Sequence, residues 1–419
     1  MATSNNLLLY GPPGTGKTYN TVNYAVSIVE NRPFEDIVAE GYPLALEKYD
    51  RYTKMGRIAF MTFHQSLSYD DFIEGIRPEI TDTGDLVYVA SPGVFYRFCE
   101  SADHPELIDD GISEAFRDLS DNAKMFAVCD DSIPEGAENG DILVHVSEKV
   151  IDRIGIVKDG VVWQELSERP KADNGWTYPH RIYKPAKRFV FSHILGKKGG
   201  DIGNCVFIID EINRGNVSRI FGELITLLES SRRKGNPECL EVYLAQMKKM
   251  FSVPDNVFVL GTMNTADKSL TALDAALRRR FEFIEMMPNP DVLQGRVVSG
   301  VEIGKLLETI NKRVEILYDR EHMLGHAYFI SVRTMDDLAQ CFINKVIPLL
   351  QEYFFDDYEK ICWVLGRAND PRKCDFIKMR PRSSFQTKFN LPDIFDIVTD
   401  YRVFVNPESY IALYKGAGV

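Results

Sequence analysis

Residues 11–18 read Gly-Pro-Pro-Gly-Thr-Gly-Lys-Thr, and their types and spacing suit the binding of phosphate groups. Glycines let backbone N–H groups converge on phosphate oxygens, and a following helix adds the positive end of its dipole. In this pattern the lysine, Lys17, reaches the β- and γ-phosphates, and the hydroxyl of Thr18 completes a Mg²⁺ shell. A plain glycine-rich turn is the alternative, but the apolar run Leu7–Tyr10 before the loop favours a nucleotide site. The predicted nucleotide-binding residues are Gly11, Pro12, Pro13, Gly14, Thr15, Gly16, Lys17 and Thr18.

Two acids and an amide follow later apolar runs of the chain. Asp210 and Glu211 come directly after Cys205–Ile209, and Asn264 lies just past Val257–Gly261. In nucleotide hydrolases this arrangement puts an aspartate beside Mg²⁺, a glutamate beside the attacking water and an amide near the γ-phosphate. Acids at a strand end can also be merely solvated, but the phosphate loop favours the catalytic interpretation.

Three consecutive arginines, Arg278, Arg279 and Arg280, precede the apolar residue Phe281. A charge run of this kind is most often a solvated helix end. In a ring-shaped hydrolase, however, an arginine at this place faces the nucleotide of the neighbouring subunit and stabilises transition-state charge. The second interpretation predicts activity only in an oligomer.

The elements that must position these residues are short apolar strands. Continuous apolar runs of this length are typical of a parallel sheet buried on both faces. Apolar residues at helical spacing then follow the first run, at Val22, Ala25, Val26 and Val29. We expect an α/β fold whose parallel five-stranded sheet uses Leu7–Tyr10, Ile58–Thr62, Cys205–Ile209, Val257–Gly261 and Phe281–Met286.

Composition limits the class of protein. The chain has 419 residues, enough for two or three domains, and 45% of them are hydrophobic. A net charge of −12 argues against a uniformly basic surface for nucleic acid, although a local one stays open. No apolar stretch approaches the roughly 20 residues that span a membrane, and no signal-like segment opens the chain. Seven cysteines form no CxxC pair, so we expect reduced thiols, no zinc site and a cytoplasmic location.

The chain is interrupted between the phosphate loop and the acids, since Lys17 and Asp210 lie 193 positions apart (210 − 17). Strand patterns at Ile142–Val146 and Val150–Val157 are followed by the turn signal Lys158-Asp159-Gly160 and a further strand from Val161. Short strands joined by turns predict a small β-rich domain, such as a β-barrel, inserted into the core.

A basic and aromatic segment ends this insert. Residues 169–200 contain eight Lys or Arg against one acid, with aromatic side chains among them. Basic residues interleaved with aromatics suit phosphate contact and base stacking, and the residues expected to contact DNA are Trp176, Tyr178, His180 and Arg181. Alternatively, the aromatics fill a barrel core and the lysines are solvated. The insert resembles PUA/EVE-like modules, which implies recognition of a modified base, with base flipping as one route.

Five motifs together resemble the McrB family of AAA+ NTPases. The resemblance covers roughly residues 5–100 and 203–290 and continues more weakly through Leu324–Phe329. It implies a GTP-hydrolysing hexamer, the motor of a modification-dependent restriction system, with a separate McrC nuclease subunit that also stimulates hydrolysis. The motifs that carry it are Gly11–Thr18, Thr62–Ser66 with Tyr69–Gly75, Ile209–Arg214, Met263–Ser269 and Leu277–Phe281.

The resemblance also implies residue roles. Asp210 supports the metal together with Thr18, and Glu211 positions the water. Asn213 matches a position near that water, where the partner subunit stimulates hydrolysis, and Asn264 belongs to the signature loop.

The same signature loop contains Asp267. The resemblance further implies that Arg279 or Arg280 acts across the subunit boundary. The family commonly has arginine after the Asp, where this chain has Lys268, which keeps the charge but loses the bidentate fork. Nothing in these motifs distinguishes guanine from adenine, so GTP and ATP both stay open as substrates.

The rest of the chain is expected to be mainly helical, over Val301–Leu317 and Met335–Tyr353, as a lid above the nucleotide. His322 and His326 have an i, i+4 spacing, but Gly325 disfavours a helix there and no further ligand has a telling spacing, so no metal site is expected. The predicted division is core at 1–100, insert at 101–203, core at 204–290 and lid with tail at 291–419. The aromatic tail is expected to be core or interface: Phe395, Tyr401, Phe404, Tyr410 and Tyr414.

Two other function classes remain open on the sequence. A MoxR-type AAA+ chaperone or remodeller would share the core without any DNA cleavage, and a regulatory nucleotide switch would barely hydrolyse. The Met263–Ser269 motif favours the restriction motor, and Glu211 disfavours the switch. No convincing nuclease motif is found in the sequence, which favours a separate nuclease subunit.

Overall fold

In the computed structural model, the described residues are 4–80, 85–103, 125–128, 142–147, 150–157, 161–165, 203–267, 275–381, 391 and 393–415. Their strands are β1 (Asn6–Gly11), β2 (Ile58–Thr62), β3 (Glu74–Ile80), β4 (Leu86–Pro92), β5 (Met125–Val128), β6 (Ile142–Ser147), β7 (Val150–Val157), β8 (Val161–Glu165), β9 (Cys205–Asp210), β10 (Val242–Leu244), β11 (Lys249–Phe251), β12 (Val257–Asn264), β13 (Glu282–Glu285), β14 (Val297–Val298), β15 (Val301–Glu302), β16 (Ile377–Met379) and β17 (Phe395–Ile397).

The α-helices are α1 (Lys17–Glu30), α2 (Phe34–Glu40), α3 (Tyr42–Lys54), α4 (Tyr69–Phe72), α5 (Val94–Asp103), α6 (Val217–Phe221), α7 (Ala275–Arg278), α8 (Ile303–Leu317), α9 (Met335–Cys341), α10 (Ile347–Tyr353), α11 (Tyr358–Leu365), α12 (Tyr401–Phe404) and α13 (Pro407–Tyr414). Short 3₁₀ turns occur at 212–214, 222–228, 230–232, 290–293, 320–322 and 326–328, and a π-helical segment at Phe342–Val346 joins α9 to α10. No helix among these residues is long and apolar enough to cross a membrane.

The central sheet contains five strands in the order β13-β1-β12-β9-β2, and all its neighbouring strands pair in parallel. The five predicted apolar runs are therefore confirmed as the strands of one parallel sheet. Strand β12 extends past the predicted Gly261 to Asn264, with Gly11 opposite Asn264 in the register. The phosphate loop and the polar residues of β12 thus meet at one sheet edge, beside the acids that end β9.

Side chains alternate between the two faces of this sheet. Leu7 and Leu9 of β1 pack under α1, whereas Leu8 and Phe207 point to the opposite face. That opposite face is filled by rings, including Phe72 and Phe95, which stack 5.1 Å apart and are fully buried. Because both faces are covered, the strands are apolar throughout, as the sequence predicts.

The helices after residue 291 form a second core, separate from the two faces of the sheet. The predicted helices are confirmed by α8 and by the run α9, π segment and α10. A capping box at Thr334 and Asp337 starts α9. Phe404 and Tyr410 of the aromatic tail are buried in this core, so the tail is core at those positions.

The strands at residues 125–165 form a four-stranded sheet in the order β5-β6-β7-β8. Strands β7 and β8 pair antiparallel, with Val157 opposite Val161, as the predicted hairpin requires. The closure of this sheet into a barrel stays a prediction. The domain boundaries given above also stay predictions.

Candidate active site

The phosphate loop has a backbone shape that needs glycine. Gly11, Gly14 and Gly16 all have positive φ angles, of 151°, 74° and 83°. A Cβ on Gly11 would also lie 2.3 Å from the carbonyl oxygen of Met286, which follows β13. The loop therefore curls tightly between β1 and α1, as predicted for a phosphate-binding loop.

Lys17 starts α1 and folds back over the loop. Its ammonium donates to the carbonyls of Gly11 at 2.9 Å and Pro12 at 2.7 Å, and Thr15 also donates to the Pro12 carbonyl at 3.0 Å. Burial lowers the pKa of Lys17 to about 8, and the nearby acids oppose that shift only in part. Thr18 is exposed beside it, so its hydroxyl is available to a ligand.

A threonine joins the two acids at the end of β9. The hydroxyl of Thr262 donates to Asp210 Oδ1 at 2.6 Å, and the hydroxyl oxygen of Thr262 accepts the N–H of Glu211 at 3.1 Å. Thr262 is itself buried in β12, the neighbouring strand. The threonine fixes one Asp210 oxygen and the backbone from which Glu211 projects.

Glu211 adopts a left-handed backbone conformation, φ 53° and ψ 47°, which is uncommon for a residue other than glycine. Its Oε1 accepts a hydrogen bond from the side-chain amide of Asn264. Asn213 in turn donates to the carbonyl of Asn264 at 3.1 Å. Arg214 lies 3.5 Å from Glu211 Oε2 and 3.4 Å from Asp267 Oδ2. The sequence-predicted residues of this group are thus brought together at one place.

The pKa of Glu211 lies above its usual range. Burial is the main cause, and the charge of Asp210 adds to it, while Arg214 acts in the opposite direction. A partly buried glutamate with a raised pKa, anchored through one oxygen, suits a residue that orients water and accepts its proton.

The three arginines have different surroundings. Arg278 lies over the ring of Phe283 with 6.0 Å to the centroid, and Arg279 is exposed. Arg280 makes a 2.7 Å ion pair with Glu229, and its side chain is only 7% exposed. The pair holds Arg280 within its own chain, which makes Arg279 the better placed of the two predicted residues for contact with a neighbour.

The second core contacts the phosphate loop directly through the segment Leu324–Phe329. A Cβ on Gly325 would lie 2.0 Å from the carbonyl group of Gly14 and 2.5 Å from the Pro13 oxygen. The N–H of Ala327 donates to the Gly14 carbonyl at 2.9 Å. The two loops are therefore in contact at the backbone level.

The two histidines at i, i+4 spacing do not share a helix face. His322 ends one 3₁₀ turn and contacts Asp319 at 2.6 Å, whereas His326 starts a separate turn and accepts the N–H of Asn289 at 3.2 Å. In the described part of the chain, no group of three or more His, Cys, Asp and Glu side chains is arranged to hold a metal ion.

Comparisons with known proteins agree with this architecture. Residues 302–362 match the family "McrB, alpha-helical lid domain", and residues 177–281 match "AAA domain (dynein-related subfamily)". The chain is 28% identical over 378 residues to the type IV methyl-directed restriction enzyme EcoKMcrB subunit of Escherichia coli (strain K12), covering 85% of this chain and 56% of that protein. The helical lid of the chain thus matches the McrB family, and its core matches the AAA domain.

A second relative of the chain is the type II restriction enzyme BsuMI component YdiS of Bacillus subtilis (strain 168). It is 35% identical over 172 residues, which cover 36% of this chain and 49% of that protein. The chain thus spans about half the length of the curated relatives it matches. The segment after Gly325 that contacts the phosphate loop belongs to the matched lid.

Two groups of sequence-predicted residues lie outside the described residues. They are the expected DNA contacts Trp176, Tyr178, His180 and Arg181, and the signature residues Lys268 and Ser269. The AAA match starts at residue 177, within the stretch assigned to the insert.

Sequence reasoning missed Thr262, Arg214 and the lid residues that contact Gly14. Thr262 carried one usable signal, since it precedes Met263 and Asn264 on the same strand. The lid contact joins positions more than 300 residues apart, and only the weaker resemblance over Leu324–Phe329 pointed to that segment.

Proposed function

We propose that this protein hydrolyses a nucleoside triphosphate at a site completed by a second copy of the chain. The observation that carries the proposal is the anchoring of Glu211 and Asp210 by Asn264 and Thr262 of the next strand. These bonds hold both carboxylates at the edge from which the phosphate loop projects.

Each residue of the proposed site has its own role in binding or hydrolysis. The loop amides and Lys17 bind the phosphates, because they supply the donors and the positive charge at one place. Glu211 orients the attacking water and accepts its proton, and Asn264 holds the carboxylate in position through a hydrogen bond. Asn213 holds the same residue by donating to the backbone carbonyl of Asn264.

A magnesium ion fits the donors that are present. Thr18 and Asp210 offer oxygen ligands, and Mg²⁺ is usually bound by one or two such side chains together with substrate phosphates. When bound, the ion would neutralise phosphate charge as the bond to the leaving group breaks. Asp210 keeps Oδ2 for this role, since Thr262 donates to its Oδ1.

The exposed Arg279 acts in trans in this proposal. A positive side chain beside the γ-phosphate stabilises the charge that develops in phosphoryl transfer. Head-to-tail contacts between copies form a closed ring when the rotation from copy to copy closes, as in the hexamer implied by family resemblance.

The relatives support a proposal for the biological setting. One is a subunit of a methyl-directed restriction enzyme and the other a component of a restriction enzyme. We infer that this cytoplasmic chain is the motor of a restriction system, and that a separate McrC-type nuclease subunit cuts the DNA. Trp176, Tyr178, His180 and Arg181 of the insert would contact DNA that carries a modified base.

Nucleotide turnover tests the enzymatic part. Phosphate release from GTP and from ATP is measured with Mg²⁺, with and without the nuclease subunit, while oligomer size is followed by light scattering. Wild type should hydrolyse at least one of the two; GTP is expected from resemblance.

Two variants assign the roles in the same assay. Lys17→Ala should lose nucleotide binding, whereas Glu211→Gln should bind and assemble but lose about 100-fold or more in turnover. Glu47→Gln, an exposed change on α3, is the matched control. Wild-type turnover in Glu211→Gln would refute the role given to Glu211.

A further inference from the structure

His326 lies where the lid touches the phosphate loop, and its position is fixed from two sides. Asn311 of α8 exchanges two hydrogen bonds with the backbone of Leu324, at 2.7 and 2.9 Å, and is almost fully buried. After Gly325, the Ala327 amide bonds to Gly14. The imidazole is thus carried by a short segment tied to both the lid and the loop.

One hydrogen bond determines which ring nitrogen of His326 carries the proton. A backbone N–H can only donate, so the bond from Asn289 at 3.2 Å makes Nδ1 of His326 an acceptor. An accepting Nδ1 carries no proton, and burial, which lowers the pKa of His326 below its ordinary value of 6.5, favours the same neutral ring. The proton of the neutral ring is therefore on Nε2, which is a donor.

The Nε2 donor faces the phosphate loop. It lies 3.7 Å from the point where a Cβ on Gly16 would be, and Gly16 is the residue that caps the start of α1. The backbone amides around such a position cradle the α- and β-phosphates in loops of this pattern. A fixed donor beside those amides adds one more hydrogen bond to the same oxygens.

We propose that His326 is a lid-borne phosphate-binding residue, whose Nε2–H donates to an α- or β-phosphate oxygen of the bound nucleotide. The inference rests on the proposed nucleotide hydrolase function and adds a specific residue of the lid to that site. It makes lid position and phosphate occupancy depend on each other, since the same segment holds Gly14 and the phosphate.

The test compares His326→Ala with His326→Gln, which keeps an N–H donor at a similar reach. Affinities for GDP, ADP and inorganic pyrophosphate are measured by calorimetry, because none of these needs hydrolysis. The Ala variant should bind pyrophosphate and the preferred diphosphate about tenfold more weakly, the worth of one charge-assisted hydrogen bond, and the Gln variant should recover part of the loss. Melting temperature without ligand should stay near that of wild type, because the Ala327–Gly14 bond uses backbone atoms only and the N–H of the exposed Asn289, which loses its bond to His326, can bond to water instead.

Three results would overturn the inference. Equal pyrophosphate affinity in wild type and His326→Ala would exclude a phosphate contact, and a loss confined to GDP or ADP would assign His326 to the base or sugar. A loss of affinity in the Gln variant as large as that in the Ala variant would exclude the donor role. Failure of the proposed function would give a different result in the same assay. The wild type itself would then bind no nucleotide, and Lys17→Ala would not change the measured binding.

Discussion

The amide of Ala327 donates a 2.9 Å hydrogen bond to the carbonyl of Gly14, so the lid holds the phosphate loop by its backbone. This bond links the lid core to the sheet edge where the acids lie. Nucleotide affinity should therefore depend on lid residues as well as on the phosphate loop itself.

Gly325→Ala tests this contact. Gly325 has an ordinary φ of −70°, so alanine adds no backbone strain, but its Cβ would lie 2.0 Å from the Gly14 carbonyl. We expect the lid segment to move off the loop and nucleotide affinity to fall about tenfold, which corresponds to the loss of roughly one hydrogen bond. Titration with a fluorescent nucleotide measures this, with Ile316→Ala on the exposed lid surface as control. Unchanged affinity in Gly325→Ala would show that the contact is not needed.

Thr262→Val tests the threonine between the acids. Valine keeps the shape but removes the oxygen that bonds Asp210 and the Glu211 amide. Turnover should fall about tenfold, and the free energy of unfolding should fall by about 1–3 kcal/mol because buried partners lose their bond. Thr262→Ser, which keeps the hydroxyl, should stay close to wild type in both assays. If valine and serine behave alike, the hydroxyl has no such role.

The burial of Lys17 predicts that the free energy of unfolding of the nucleotide-free protein depends on pH. Its pKa is about 8 in the folded chain, against 10.5 ordinarily, so the unfolded chain binds this proton more tightly. Between about pH 8 and 10.5 the unfolded state then carries more protons, and the contribution of Lys17 to stability rises with pH. Urea unfolding at pH 7 and pH 10 measures the free energy of wild type minus that of Lys17→Met, which cancels the other titrations. The difference should shift in favour of wild type at pH 10, and a constant or opposite difference would contradict the buried-lysine account.

The insert yields a prediction from sequence alone. Stacking of one base on an aromatic side chain is worth about 1–3 kcal/mol, so Trp176→Ala with Tyr178→Ala should weaken DNA binding tenfold or more. Nucleotide hydrolysis should not change. Anisotropy with modified and unmodified duplexes at fixed salt provides the measurement, and Phe355→Ala, which removes an exposed lid ring, is the control. Undiminished DNA binding in the double variant would remove the insert from recognition.

The sequence predicted the sheet well because its strands are buried on both faces and are apolar throughout. Gly11–Thr18 and the acids after β9 were predictable since local patterns specify them. The left-handed backbone of Glu211 and the Ala327–Gly14 bond were not, because both depend on packing between distant segments. The ion pair of Arg280 with Glu229 likewise joins residues 51 positions apart (280 − 229), so the arginines looked equivalent in sequence.

In the proposed ring, one copy supplies Glu211 and its neighbour supplies Arg279. Mixing two inactive variants tests this shared site, because Glu211→Gln retains the arginine and Arg279→Ala retains the glutamate. In a randomly mixed ring at equal amounts, about one quarter of the interfaces pair an intact Glu211 with an intact Arg279. We expect phosphate release by the mixture to recover to about a quarter of the wild-type rate, while each variant alone stays near zero. A mixture no more active than the variants measured separately, although mixed oligomers form, would refute the shared site.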